Sequence, residues 1–148
     1  MIEAFENIIQ NAIIQEQTAH DFYVKMADAA KVTSVKSLFD RLGKEELKHK
    51  ALLENLNLDK DIEFEQSQLE ELDIVEDLLL TPLSEFKELK EAFEIAIRKE
   101  ETSFEAYNRT AKLMPSGRLR ALFELLANEE LNHKDLVTQE YYKAMGKK

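Results

Sequence analysis

Two Glu-x-x-His pairs, Glu46-Leu47-Lys48-His49 and Glu130-Leu131-Asn132-His133, stand 84 residues apart (130 − 46 and 133 − 49). Glu16 and Glu100 are separated by the same interval (100 − 16), which completes a set of four carboxylates and two imidazoles. Carboxylate oxygen and imidazole nitrogen are ligands for divalent transition metals. The i, i+3 spacing brings both to one side of a helix. Burying an ionised carboxylate without a partner is costly, and four close together repel one another. No Lys or Arg is expected at the inward positions beside these glutamates. The pattern therefore predicts that two divalent cations, rather than salt bridges, supply the countercharge.

Four segments with a 3.6-residue apolar period must position this set. The first shows Phe5, Ile8, Ile9, Ala12, Ile13, Glu16, Ala19, Tyr23, Ala27 and Ala30. The second, with Thr33 or Ser34 as its expected N-cap, shows Val35, Leu38, Phe39, Leu42, Glu46, His49, Leu53 and Leu56. The third is expected to open near Thr81-Pro82, a cap followed by proline at the first helical position. It continues through Phe86, Leu89, Phe93, Ala96, Ile97, Glu100, Phe104, Tyr107 and Ala111. The fourth follows the break at Pro115-Ser116-Gly117 with Leu119, Leu122, Phe123, Leu126, Glu130, His133, Val137 and Tyr141. In every segment the glutamates and histidines fall on the apolar stripe, one turn from a leucine, isoleucine or valine.

Short connections make the first and second segments one antiparallel hairpin, and the third and fourth another. Aligning 12–52 on 96–136 without a gap gives about fifteen identical pairs in about forty positions, an internal repeat. The expected architecture is all-α: a four-helix bundle of two repeated hairpins (about 2–56 and 81–145). A long acidic crossover, 57–80, joins them, and its Leu69, Leu72, Ile74, Val75, Leu78 and Leu79 suit a short helix. One domain over 1–148 accommodates all of it.

Composition narrows the function. With 30 acidic against 20 basic residues the net charge is −10, which argues against nucleic acid and anionic membrane surfaces as partners. No run approaches the length of a spanning helix, and the acidic start Met1-Ile2-Glu3 lacks the basic opening of a signal peptide. Without cysteine there is no thiolate metal site and no thiol redox chemistry. A cytoplasmic protein is expected.

A glutamate from each of two helices, with Glu-x-x-His from each of the other two, is a recurring di-iron or di-manganese constellation in bundles. Here the chain resembles the ferritin-like di-iron carboxylate superfamily, most closely its rubrerythrin branch. The resemblance rests on Glu16-x-x-Ala19-x-x-Phe22-Tyr23, Glu46-x-x-His49, Glu100-x-x-Ser103-x-x-x-Tyr107 and Glu130-x-x-His133, in that order. It implies that Glu46 and Glu130 bridge two irons, that Glu16 and His49 complete one site, and that Glu100 and His133 complete the other. It also implies that Tyr23 and Tyr107 hydrogen-bond ligand carboxylates. Two departures stand out. The four-cysteine rubredoxin-like domain common in the family has no counterpart. The family's additional glutamate one turn after the third helix's ligand is replaced by Ser103, whose repeat partner is Ala19.

The resemblance implies an oxidoreductase that reacts with hydrogen peroxide or dioxygen in oxidative-stress defence, takes electrons from an external donor protein and forms a homodimer. The alternatives are a ferroxidase or iron-handling protein, and a bundle whose metals only hold its helices together. Carboxylate and imidazole suit manganese or a mixed pair as well as iron. Glu45, Glu101 and Glu129 lie off the stripes and read as solvated, and His20 reads as a hydrogen-bonded core histidine rather than a further ligand.

Overall fold

The computed structural model describes residues 2–56, 88–114 and 117–144. They form four α-helices: α1 (Ile2–Ala29), α2 (Thr33–Glu54), α3 (Leu89–Leu113) and α4 (Arg118–Ala144). The helices α1 and α2 pack as one hairpin and α3 and α4 as the other, with α2 against α4 and α1 against α3 between hairpins. The expected crossover and the Thr81-Pro82 helix start lie outside the described residues.

One helix boundary departs from expectation. The cap position of α2 is Val32, in extended backbone (φ −100°, ψ 127°), and no side chain caps the helix. Ser34 is drawn away, its hydroxyl donating to Glu140 Oε2 on α4 at 3.1 Å. Glu88, also extended (φ −124°, ψ 152°), immediately precedes α3 at Leu89. At the other end of this hairpin Gly117 has φ 129°, a conformation glycine tolerates because it lacks a Cβ.

The interior is built in layers. One apolar cluster joins the start of α1 to the ends of α2 and α3 and the start of α4, with Ile8, Leu53, Met114, Phe123 and Leu126 fully or almost fully buried. A second joins the far end of α1 to the starts of α2 and α3, around Met26, Val35, Phe39, Leu42 and Phe93. Tyr23 stacks on Phe39 (centroids 5.5 Å apart), Phe39 meets Phe93 edge-on at 5.4 Å, and Tyr107 leans on Phe123 at 6.0 Å. Each buried phenylalanine contributes about 1.5–3 kcal/mol of transfer free energy. Between these two layers lie the glutamates and histidines.

Close approach of α1 to α2 passes through Gly43. Its carbonyl oxygen is 2.9 Å from His20 Nδ1, which gives a half-buried imidazole its hydrogen bond. His20 thus sits in the packing role expected for it.

Candidate metal centre

Each of the four helices delivers one carboxylate to the middle layer, and α2 and α4 each add an imidazole one turn later. Glu16, Glu46, His49, Glu100, Glu130 and His133 are all at most 2% exposed. The structure brings the six together in two overlapping groups: Glu16, Glu46, His49 and Glu130, and Glu46, Glu100, Glu130 and His133. Within each, one potential ligand atom per residue lies within 4.8 Å of the others. Glu46 and Glu130 belong to both groups, the position a bridging ligand must hold.

The two imidazoles are nearly parallel, centroids 5.7 Å apart and 11° between planes. Nδ1 of His49 lies 3.3–3.4 Å from oxygens of Glu16, Glu46 and Glu130. Nδ1 of His133 lies 3.0–3.5 Å from oxygens of Glu46, Glu100 and Glu130. On the outer side of each ring, Nε2 of His49 is 2.6 Å from Glu129 Oε1, and Nε2 of His133 is 2.9 Å from Glu45 Oε1. An ionised carboxylate only accepts, so Nε2 carries a proton in either charge state of the ring, and in the neutral ring the lone pair falls at Nδ1, toward the glutamates. The surroundings thus select the ligating tautomer.

Glu45 and Glu129 therefore do more than the solvated role read for them in the sequence. Each immediately precedes a buried glutamate and reaches across to the histidine of the other hairpin. Their equal offset (129 − 45 = 84) was the available signal. Glu101 does stay outside, paired with Lys134 at 2.8 Å.

The tyrosines cross over as well. Tyr23 Oη donates to Glu100 Oε1 and Tyr107 Oη donates to Glu16 Oε2, each at 2.7 Å. Burial first, and then the facing carboxylates, push both phenols well above their usual range. They remain protonated donors.

The expectation that no cation lies beside the glutamates is wrong. Lys99 on α3, 8% exposed, sends its ammonium to Glu46 Oε2, to Glu100 Oε1 at 2.6 Å and to Glu130 Oε2 at 2.9 Å. Its Nζ also lies 5.7 Å from the centre of the Tyr23 ring. Lys99 is one residue off the helical stripe, and its four-carbon stem carries the charge inward from there. Periodicity placed the Cα correctly and missed the reach of the side chain.

One ammonium among four carboxylates leaves an uneven field. Burial and then Glu46 raise the carboxyl of Glu16 above its usual range. Burial followed by Glu100 and Glu46 raises Glu130 strongly. Burial opposes ionisation of Glu46 too, but Lys99 and the two histidines outweigh it and hold Glu46 well below the carboxylate range. For the histidines burial opposes the charged form, yet the surrounding carboxylates prevail, raising His49 and pushing His133 up to about 11.

Among the described residues, six buried atoms still make no well-aligned hydrogen bond: Glu16 Oε1, Glu46 Oε1, His49 Nδ1, Glu100 Oε2, Glu130 Oε1 and His133 Nδ1. There is one from each of the six residues. Such groups normally find partners when buried, because leaving one unsatisfied costs about 1–3 kcal/mol. The donor set fits a pair of divalent cations in both atom type and arrangement.

All-α hairpins around a Glu/His cluster define a ferritin-like four-helix bundle. The sequence profile of the rubrerythrin family matches residues 7–142, and the chain belongs to that family. Among solved structures it is similar to a hypothetical protein from Pyrococcus furiosus, with a TM-score of 0.73 and 23% identity over 95% of this chain and 90% of that one. That likeness concerns the fold. No curated protein matches the chain.

Proposed function

We propose that this protein is a di-iron oxidoreductase that reduces hydrogen peroxide or dioxygen with electrons from an external donor protein. The observation that carries the reading is the convergence of six partnerless buried ligand atoms, one from each of Glu16, Glu46, His49, Glu100, Glu130 and His133. Membership of the rubrerythrin family supports a di-metal centre in this position. Two irons per chain are proposed, with Glu46 and Glu130 shared between them. Held there, a reduced iron pair would supply two electrons, enough to cleave the O–O bond of hydrogen peroxide or to take dioxygen to peroxide.

The chain's own residues set the conditions for that chemistry. The apolar layers on either side exclude water, which strengthens electrostatic interactions within the site. Glu45 and Glu129 hold the imidazoles in their ligating tautomer. Tyr23 and Tyr107 keep one oxygen each of Glu100 and Glu16 fixed, and their raised pKa values keep the donated protons in place. None of the 148 residues is a cysteine, which supports an external protein as the proposed electron donor. A homodimer in the cytoplasm, meeting a small reductant protein, is the setting proposed.

The test is anaerobic loading with Fe(II), followed by stopped-flow mixing with hydrogen peroxide and separately with dioxygen. Rapid stoichiometric oxidation and repeated turnover with an added reductant are expected. Oxidation followed by iron release or mineral growth would identify an iron-handling protein instead. A loaded chain inert to both oxidants would leave a metal-stabilised bundle.

A further inference from the structure

The two halves of the centre differ in one respect that the repeat makes visible. Lys99 has its counterpart at position 15 (99 − 84), where the residue is Gln15, half-buried and uncharged. The ammonium of Lys99 touches Glu46, Glu100 and Glu130, three of the four residues in the group completed by His133. The other terminal carboxylate, Glu16, is held by the neutral hydroxyl of Tyr107. Glu46 and Glu130 are shared by both halves, so the asymmetry lies in the terminal carboxylates: Glu100 carries the lysine's charge and Glu16 does not.

We propose that Lys99 is a tethered cation that competes with a metal ion for the oxygens of Glu46, Glu100 and Glu130. The centre consequently loads in two unequal steps, the Glu16–His49 half first. This rests on reading the six-residue cluster as a metal centre. Both halves offer a partnerless carboxylate oxygen and Nδ1, but an ion entering the Glu16–His49 half leaves Lys99 paired with Glu100 and keeps it as an additional countercharge to the shared glutamates. An ion entering the other half meets a like charge bonded to the second oxygen of each of its three carboxylates, including Glu100 Oε1, and the ammonium must withdraw before both oxygens of Glu100 are free for the metal. The flexible stem of lysine allows that withdrawal, whereas a rigid guanidinium fork releases its oxygens less easily. Lys99 is a positioning residue: it sets the order of filling and the charge the site carries between the two steps.

The experiment is an anaerobic titration of the metal-depleted full-length chain with Co(II), whose visible absorbance reports each bound ion. Wild type is compared with Lys99→Gln, which copies Gln15, and with Lys99→Arg, which keeps the charge. Wild type is expected to bind two ions, the second about 10- to 100-fold more weakly, the scale of effects from groups that adjust metal ligands. In Lys99→Gln the second step moves toward the first, while in Lys99→Arg the gap persists or widens. The metal-depleted Lys99→Gln chain should also melt at a lower temperature, because four buried carboxylates have lost their one ammonium. If it does not fold without metal, it is refolded with Co(II) and each ion is withdrawn by chelator competition. Equal steps in wild type, or a gap unchanged by Lys99→Gln, would overturn the proposal and leave the metal centre standing. Failure of all three chains to bind Co(II) would overturn the metal reading itself, and this inference with it.

Discussion

Glu129→Ala is a sharp test of how the outer carboxylates work. Glu129 Oε1 lies 2.6 Å from His49 Nε2, and its side chain is 41% exposed. The substitution opens no core cavity, and its effect should pass through His49. Loss of such an orienting carboxylate typically weakens metal binding about 10- to 100-fold. Because solvent already screens Glu129, the lower end applies: about tenfold, or about 1.4 kcal/mol. Only the half containing Glu16 and His49 should respond, since His133 is oriented separately by Glu45 at 2.9 Å. Chelator competition, resolving the two ions by absorbance, measures each affinity, and Glu45→Ala gives the mirror experiment. Glu129→Gln should recover part of the loss, because an amide oxygen still accepts from Nε2. The reasoning fails if Glu129→Ala weakens both ions equally or neither, or if the glutamine variant behaves like the alanine one.

Tyr107→Phe strips Glu16 Oε2 of its 2.7 Å hydrogen bond in a fully buried setting, so the metal-depleted chain should lose about 1–3 kcal/mol in denaturant unfolding. Gly43→Ala should stabilise the chain by about 0.5–1 kcal/mol through helix propensity. A Cβ there meets His20 Nδ1 at 3.4 Å and Tyr23 Cβ at 3.6 Å, ordinary contacts, and the repeat already places alanine at 127. The expected gain in melting temperature is about 1–4 °C, and a drop would show that α1 and α2 cannot yield. Metal loading should release protons at neutral pH. Both imidazoles are held protonated there, His133 up to about pH 11, and a ligating Nδ1 must give its proton up. Affinity therefore rises with pH, and calorimetry in buffers of differing ionisation enthalpy counts the protons; none released would contradict the assignment of His49 and His133 as ligands.

Much of this arrangement was legible in the residues because two periodicities coincide in them. The 3.6-residue stripe identified the buried face of each helix, and the 84-residue repeat paired Glu16 with Glu100 and Glu46-x-x-His49 with Glu130-x-x-His133. Those signals are strong because burial and duplication both act on Cα positions. What they missed lies in side-chain reach. Lys99 and Glu129 each sit one residue off the stripe, and one brings an ammonium inward while the other meets an imidazole at the rim. Helix termini were less legible too: Thr33 and Ser34 suit a cap by type, but Ser34 bonds Glu140 across the hairpins instead. Local preference there yielded to a tertiary partner.

The central claim is that these six residues hold a pair of metal ions. The most direct measurement is anomalous diffraction from crystals of the iron-loaded protein, collected on both sides of the iron absorption edge. Two iron peaks per chain are predicted, one among Glu16, Glu46, His49 and Glu130 and the other among Glu46, Glu100, Glu130 and His133, with Lys99 withdrawn from the second. Iron bound only at surface carboxylates, with Lys99 still seated on Glu46, Glu100 and Glu130, would contradict it.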